Sequence, residues 1–485
     1  MKREEMKSTR RSFLTGSLGA GVFFSGVGPG LRSVAGTLSD AKPNLKVGIL
    51  SDIHMNYQRL DAEGELLRRT LTYFSERGVD AVLIAGDLAD SGYVDELEKI
   101  GEVWRTVFPN DKAYDGRSVS KLFLYGNHDA RGFGRGACPW TTEHNPRYIA
   151  MDRAGFWKRC FDEDYAPIYA KTVKGYTFIC GHWDTATGVG ALPKFIEKMR
   201  PQLTGTKPFF YAQHPHPKDT CSGSWAWGHD DGTSTRILSS FPNAVVFSGH
   251  SHTSLTDERV VWQGAFTSIG TSSLSYSSIE YAYRENTYVT DTRHDTRPPR
   301  MKPLDTWDGK QGLLMNVYDD RIVLERHDFL HQKRLGADWV IPIPAPPIGE
   351  SSFDFVRRAA VRTAPAFAAD ATVSVTADRA AKSWVVFFPG AHGRNGCRVF
   401  EYEVTAVGVQ EDIEMVLAQR RVLAADFHLP ESKNPAPGTC VFVWADMTNT
   451  MPVRFEVRPM ECFGRKGSAL VSPVVQRPSS CEGRG

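Results

Sequence analysis

Apolar and polar positions follow two rhythms along this chain, and the change between them falls near residue 340. From Leu45 onward, short continuous apolar runs recur: LKVGIL (45–50), DAVLIAG (80–86), KLFLYG (121–126), YTFICG (176–181), PFFYAQ (208–213) and NAVVFSG (243–249). Runs of this length, bounded by turn residues, read as strands buried on both faces. After the first run, Leu60, Leu67, Leu71 and Phe74 fall near one face of a helix, and residues 93–108 again read as helical. Strands alternating with helices predict an α/β fold with a sheet covered on both faces. RVVWQGAF (259–266), LLMNVYD (313–319) and RIVLERHD (321–328) look antiparallel, so a mixed α/β sandwich is expected over 45–335.

A Pro-rich stretch, VIPIPAPPIGESS (340–352), reads as an interdomain linker, taken as 336–352. Beyond it the period becomes two. Phe400, Tyr402 and Val404 alternate with Glu401, Glu403 and Thr405, and similar short segments follow. This predicts a C-terminal all-β sandwich over 353–485.

At 485 residues the chain exceeds one typical domain, and 41% hydrophobic with 24% charged residues is ordinary globular composition. The net charge of +2 offers no basic track for a polyanion, so no nucleic acid partner is expected. The eight cysteines include no CxxC pair, which excludes the usual thiolate metal or redox motif. Four of them (Cys138, Cys160, Cys180, Cys221) precede the linker and four (Cys397, Cys440, Cys462, Cys481) follow it; pairing within each half is allowed but unassigned.

The first residues are basic, then STRRSFLTGSLGAGVFFSGVGPG leads through a soft apolar run into the small-residue stretch SVAG. This order reads as a secretory signal over 1–36, with cleavage expected after Ala35. The run is too short and too rich in glycine to span a membrane, so no transmembrane segment is expected in the mature protein. Thr9-Arg10-Arg11-Ser12-Phe13-Leu14 closely resembles the bacterial twin-arginine signal. The resemblance implies the twin-arginine export machinery as a partner and a periplasmic or secreted location for an already folded protein.

Ligands of α/β sheets gather beyond the carboxyl ends of strands. There the chain places Asp52 and His54 (SDIH), Asp87 (GDLAD), Asn127, His128 and Asp129 (GNHD), His214 and His216 (QHPHP), and His250 and His252 (GHSH). A single Asp at such a place caps a helix, and a single His fills a turn. That explanation has to hold at five of six strand ends at once. Two carboxylates, an amide oxygen and four imidazoles suffice for two divalent ions if one carboxylate bridges. Mixed O/N donors without thiolate suit Mn, Fe or Zn, with the identity open. Two ions about 3.5–4 Å apart clamp a phosphate and activate a water between them for in-line attack. Asp87, central in chain order, is the natural bridge. His128 is left as a proton donor to the leaving oxygen, and Asp129 as the group that holds that imidazole or its loop. Arg131 either reaches a phosphate oxygen or is a solvated loop charge.

Taken in order, Asp52-x-His54, Gly86-Asp87, Gly126-Asn127-His128-Asp129, His214 and Gly249-His250-x-His252 resemble the calcineurin-like metallophosphoesterase superfamily over roughly 45–335. The resemblance implies a four-layer α/β/β/α sandwich with mixed sheets. It implies one metal on Asp52, His54, Asp87 and His252, a second on Asp87, Asn127, His214 and His250, and His128 as general acid. His216 competes with His214 for its place. Purple acid phosphatases carry a Tyr three residues after the bridging Asp and lack the first-block His. Here those positions are Asp90 and His54, so an iron–tyrosinate enzyme is not implied. The C-terminal alternation resembles a fibronectin- or immunoglobulin-type sandwich and carries no function with it.

The expectation is therefore an exported metallophosphoesterase acting on a small phosphate ester, a diester in preference to a monoester, with hydroxide between the metals as nucleophile. A phosphomonoesterase stays open. A binding or scaffolding protein with a relict core is the alternative of a different class, and the intact donor set argues against it. Substrate clues are Trp183 and Asp184 in GHWDT, with His182 beside them, and Trp225, Trp227, His229 and Asp230 in CSGSWAWGHDDG. These aromatics either meet substrate or pack their loops.

Overall fold

The computed structural model describes residues 41–132, 153–183, 189–223, 226, 229–277, 306–411, 413–447 and 450–478. The expected leader over 1–36, together with Cys138, Asp184, Trp225, Trp227 and Cys481, lies outside the described residues.

Two mixed sheets face each other. In the first, β1 (Leu45–Leu50), β2 (Ala81–Ala85) and β3 (Ser120–Leu124) run parallel. On the other side of β1, β10 (Gln311–Val317) and β11 (Arg321–Asp328) continue the sheet antiparallel. The second sheet takes the order β4 (Ile168–Val173), β5 (Tyr176–Gly181), β6 (Phe209–Gln213), β7 (Ala244–Ser248), β9 (Thr267–Gly270), β8 (Val261–Gln263). Its four middle strands are parallel and its two edges antiparallel.

The continuous apolar runs arise because each central strand feeds two cores at once. In β2, Ala81 and Leu83 face the space between the sheets, while Val82 and Ile84 face the helices outside. Between the sheets, Val47, Ile49, Leu122 and Leu124 meet Phe178, Phe210, Val245 and Phe247. Outside the first sheet lie α1 (Leu60–Arg77), α2 (Val94–Val107) and α4 (Arg153–Phe161), with α3 (Asn127–Gly132) in the turn after β3. Outside the second lie α5 (Leu192–Leu203) and α6 (Thr233–Leu238). Leu67, Leu71 and Phe74 form the buried face of α1, which ends at Gly78 in the left-handed conformation, φ 76°. The body is thus a four-layer α/β/β/α sandwich.

The strands β4, β9, β12 (Lys333–Arg334) and β13 (Trp339–Pro342) were not legible as runs. β9 is four residues of small and polar character, and its pairing with β7 comes from neighbours distant in sequence. β13 lies inside the stretch read as linker. It pairs antiparallel with β11, burying Trp339 and Ile341 while Val340 faces solvent. A period of two hidden among prolines holds this segment on the first sheet, and Phe353 beyond it still packs between the sheets.

Beyond α7 (Phe355–Val361), two further sheets share one core. One is β14 (Ser374–Asp378), β15 (Ser383–Phe388) and β18 (Gly438–Val443). The other is β17 (Ile413–Leu423), β16 (Glu401–Gln410), β19 (Val453–Met460) and β20 (Leu470–Val471). Phe388 against Tyr402 and Phe442 against Phe455 join them, at 4.8 and 5.1 Å between ring centroids. The expected outward side of β16 is covered as well. Glu401 and Glu403 are buried, paired with Arg421 at 3.2 Å and Lys466 at 2.7 Å.

Residues 43–485 form one compact unit. The C-terminal sheets join the α/β body through buried polar contacts. Thr256 Oγ1 donates to the Phe427 carbonyl (2.5 Å), Gln311 Nε2 donates to the His428 carbonyl (2.6 Å), and His428 Nε2 lies 2.6 Å from Asp308 Oδ1. Cys160, Cys180, Cys397, Cys440 and Cys462 form no disulfide. Among the described residues no helix is long and apolar enough to cross a membrane.

Candidate metal centre

The loops after β1, β2, β3, β6 and β7 converge where the two sheets meet. Asp52 and His54 come from the first, Asp87 from the second, Asn127 from the third, His214 from the fourth, and His250 and His252 from the fifth. Five of these residues have left-handed backbone: Asp52 (φ 48°), His54 (47°), Asp87 (48°), His250 (66°) and His252 (52°). That conformation costs a non-glycine residue about 1–2 kcal/mol and is tolerated best by Asp, Asn and His. Interlocking hydrogen bonds hold it in place. Asp52 N–H donates to the Gly86 carbonyl (2.9 Å), His54 N–H to the Asp87 carbonyl (3.1 Å), and His250 N–H to Asp52 Oδ2 (3.0 Å). The glycines of the blocks allow this closeness. A methyl on Gly249 would lie 2.5 Å from Asp52 Oδ2, and one on Gly126 would collide with Asp87 Oδ1.

Three donor groups result among the described residues; two of them share a carboxylate, and the third is His54, Asp90 and His128. Asp52, His54, Asp87 and His252 bring ligand atoms within 4.8 Å of one another, and so do Asp87, His214 and His250. Asp87 belongs to both. Within them His252 Nε2 lies 3.0 Å from Asp52 Oδ1, His54 Nε2 3.1 Å from His252 Nε2, and His214 Nε2 3.2 Å from Asp87 Oδ2. Asn127 Oδ1 is 3.1 Å from His214 Nε2 and so adjoins the second group.

The charges at this place call for cations. Asp52 and Asp87 are almost wholly buried. Burial pushes the Asp52 carboxyl up, but His252 and His214 pull it down to about 2. Asp87 is also held well below the usual carboxylate range, burial being outweighed chiefly by His214. Burial lowers His214 as well, yet Asp87 and Asp52 raise it to about 9. Two ionised carboxylates in a buried pocket thus draw in positive charge, carried by a proton or by a metal cation.

Residues 45–254 match the family model described as calcineurin-like phosphoesterase. These residues are a calcineurin-like metallophosphoesterase domain. Comparison with curated proteins gave no match. Among solved structures, the chain is similar to a dimetal phosphatase from Danio rerio, with 14% identity and a TM-score of 0.36, over 62% of this chain and 99% of that one. It is also similar to purple acid phosphatase PPD1 from yellow lupin (Lupinus luteus) seeds, with 12% identity and a TM-score of 0.39, over 62% of this chain and 55% of that one.

In this phosphoesterase domain a second ring of contacts orients the imidazoles. His54 Nδ1 donates to Asp90 Oδ1 (3.1 Å), His214 Nδ1 to the Ala85 carbonyl (2.8 Å) and His252 Nδ1 to the Tyr276 carbonyl (3.0 Å). Each Nε2 lone pair is thereby turned to the donor groups, as a metal ligand requires. His250 Nε2 is 3.0 Å from His229 Nδ1. Asp90 entered the sequence reading only as a departure from purple acid phosphatases. Its place three residues after Asp87 was the available signal.

His216 is not among the donors. It is buried, its Nε2 2.9 Å from Ser251 Oγ and its Nδ1 3.2 Å from Cys221 Sγ, and burial pushes it down to about 4. His182, a pocket candidate from sequence, is a core residue. Its Nδ1 accepts from Tyr125 N–H (3.0 Å), and its ring stacks on Tyr125 at 4.6 Å. Trp183 does border the site, 5.4 Å from the His250 ring and 5.7 Å from that of His214.

His128 sits at the first group, its ring 4.5 Å from that of His54. Its N–H donates to Asp87 Oδ1 (2.9 Å) and its Nδ1 to the Asp90 carbonyl (2.6 Å). The Arg131 guanidinium lies 3.2 Å from both of its ring nitrogens. Burial pushes His128 down to about 4, with His54 and Arg131 adding to the shift and Asp87 opposing it.

Asp129, grouped from sequence with the catalytic residues as the holder of the His128 imidazole or of its loop, holds the loop. It is fully buried, and its carboxylate accepts from the N–H groups of Leu88 (3.1 Å), Ala89 (2.7 Å) and Gly126 (2.8 Å). It ties the loop after β2 to the loop after β3 and is a positioning residue. Asp129→Asn turns an N–H2 toward one of those donors, at a cost of about 1–3 kcal/mol. The variant is expected to melt at lower temperature and to carry less metal per chain by elemental analysis. Unchanged melting and unchanged metal content would refute this role.

Proposed function

We propose that this protein is a two-metal phosphoesterase that hydrolyses small phosphate esters, diesters in preference to monoesters. The observation that carries the reading is the sharing of Asp87 between two of the donor groups. Only a carboxylate offers an oxygen to each of two neighbouring cations, and the shared position holds one. Asp52, His54, Asp87 and His252 would hold one ion, and Asp87, Asn127, His214 and His250 the other. Bound divalent ions there would neutralise the phosphate charge and lower the pKa of water to make it a nucleophile at neutral pH. The donor chemistry, O and N without thiolate, supports Mn, Fe or Zn.

The chain's own residues do the rest. The left-handed loops keep the donors fixed before substrate arrives, so little reorganisation accompanies binding. His128, tethered by its backbone N–H to Asp87 and by Nδ1–H to the Asp90 carbonyl, is held neutral by burial and by Arg131. It would hand an Nε2 proton to the leaving oxygen only once the phosphate's negative charge has raised its pKa and drawn Arg131 to itself. Arg131, 3.2 Å from His128 Nε2, would meet a non-bridging phosphate oxygen there. With two divalent cations on two carboxylates the loaded site is net positive, so charge admits a monoester and a diester alike, and the order of the two is what the assay decides. The twin-arginine motif Thr9–Leu14 supports export in the folded, metal-loaded state.

Metal-loaded protein is expected to cleave bis-p-nitrophenyl phosphate faster than p-nitrophenyl phosphate, and chelator to abolish both activities. Faster monoester cleavage would turn the reading to a phosphomonoesterase, and chelator-resistant cleavage would end it. His128→Ala should keep the metal content and lose rate by about 10²–10⁴-fold, most for esters of poorly acidic alcohols. Loss of metal in that variant would make His128 a ligand instead. Replacing Arg10 and Arg11 together by Lys should retain the full-length protein in the cytoplasm when cell fractions are compared, and undiminished export would remove the twin-arginine assignment.

A further inference from the structure

Two aromatic residues outside every motif step outward from the metal centre. The Tyr276 carbonyl accepts from His252 Nδ1, and its ring lies 4.2 Å from the His252 ring. Trp307 follows at 4.8 Å from Tyr276, inclined by 38°. This indole is 47% exposed, although burial of a tryptophan is strongly favourable. Two cations flank it, the Arg59 guanidinium 5.1 Å and the Lys310 ammonium 5.6 Å from the ring centroid, against the carboxylate of Glu63, which pairs with Arg59 at 2.9 Å.

The pair is braced from behind by the C-terminal sheets. Asp308, next to Trp307 in the chain, is 2.6 Å from Nε2 of the buried His428. Gln311 donates to the His428 carbonyl and accepts from Leu255 N–H at 2.7 Å, three residues after His252. It also accepts from Ser272 Oγ at 3.0 Å, on the segment leading to Tyr276. The metal-side imidazole, the two aromatic rings and the C-terminal body therefore share one scaffold. A rigid platform loses little freedom when a ligand settles on it.

We propose that Tyr276 and Trp307 form the subsite for the organic group of the ester, and that this group is a flat ring bearing negative charge. The rings supply the stacking surface, and Arg59 and Lys310 supply the countercharge. The inference rests on the phosphoesterase reading above. An ester whose phosphate meets the donor groups extends its ring along the His252–Tyr276–Trp307 steps, so the subsite selects among esters sharing the same phosphate chemistry.

Calorimetric titration of metal-loaded, full-length protein with methylphosphonate, phenylphosphonate and 4-carboxyphenylphosphonate tests it. These probes share an anionic head and differ in the ring and its charge. Wild type is expected to bind them in increasing order of affinity as named. Trp307→Ala, at an exposed position, should shrink the aryl advantage by at least about fivefold and leave methylphosphonate within about twofold. Tyr276→Leu should act in the same direction, and Arg59→Gln should weaken only the carboxylated probe. Equal affinities for aryl and methyl probes in wild type, or an aryl advantage that survives Trp307→Ala, would overturn the subsite while leaving the phosphoesterase reading standing. Failure of all three phosphonates to bind the metal-loaded protein would overturn both.

Discussion

Two ionised carboxylates buried at the junction of two sheets are the constraint on which the rest of the structure depends. Asp52 and Asp87 have no access to bulk water, and a buried charge without compensation costs several kcal/mol. Four imidazoles crowd round them, and three have their outer nitrogen engaged so that the inner one faces the carboxylates. Five donors adopt left-handed backbone, each at a cost that an isolated loop would relieve by relaxing. They stay strained because neighbouring strand ends are hydrogen-bonded to one another, and because Asp129 closes three backbone N–H groups with one carboxylate.

The fold makes this possible by geometry. Parallel strands deliver all their carboxyl ends to one edge of a sheet, and two such sheets packed face to face bring five loops together. Each central strand is anchored on both faces by apolar side chains, so the loops grow from fixed points. That rigidity allows glycines such as Gly126 and Gly249 to bring backbone against a carboxylate. Any side chain there would push the donors apart.

The C-terminal sheets are more than an appended module. Their Phe427–His428 segment supplies two carbonyls and an imidazole to Thr256, Gln311 and Asp308, beneath the loop that carries His252. Buried polar contacts of this kind are expensive to break, because each leaves an unsatisfied partner. The α/β body and the C-terminal sheets are thus mechanically continuous behind the metal centre, and the Tyr276–Trp307 pair lies on the connection.

The layers and the donors were legible in the sequence for related reasons. A strand buried on both faces must be apolar throughout, so β1, β2, β3, β5, β6 and β7 stand out as runs. The polar residues that end them are conspicuous against that background. What the sequence by itself determined was therefore the α/β alternation and the ordered set from Asp52 to His252. Tertiary structure alone decided which of those groups meet. It set His214 among the donors and His216 in the core, two residues apart on the same loop. It set the Asp129 carboxylate on three backbone amides of the loops and not on the His128 imidazole. It made His182 a stacking partner of Tyr125, and it drew a strand out of a proline-rich stretch. Local pattern records whether a residue leaves the strand and how polar it is. The direction its side chain then takes depends on atoms contributed by chain tens or hundreds of residues away, and only packing of the sheets brings those atoms near.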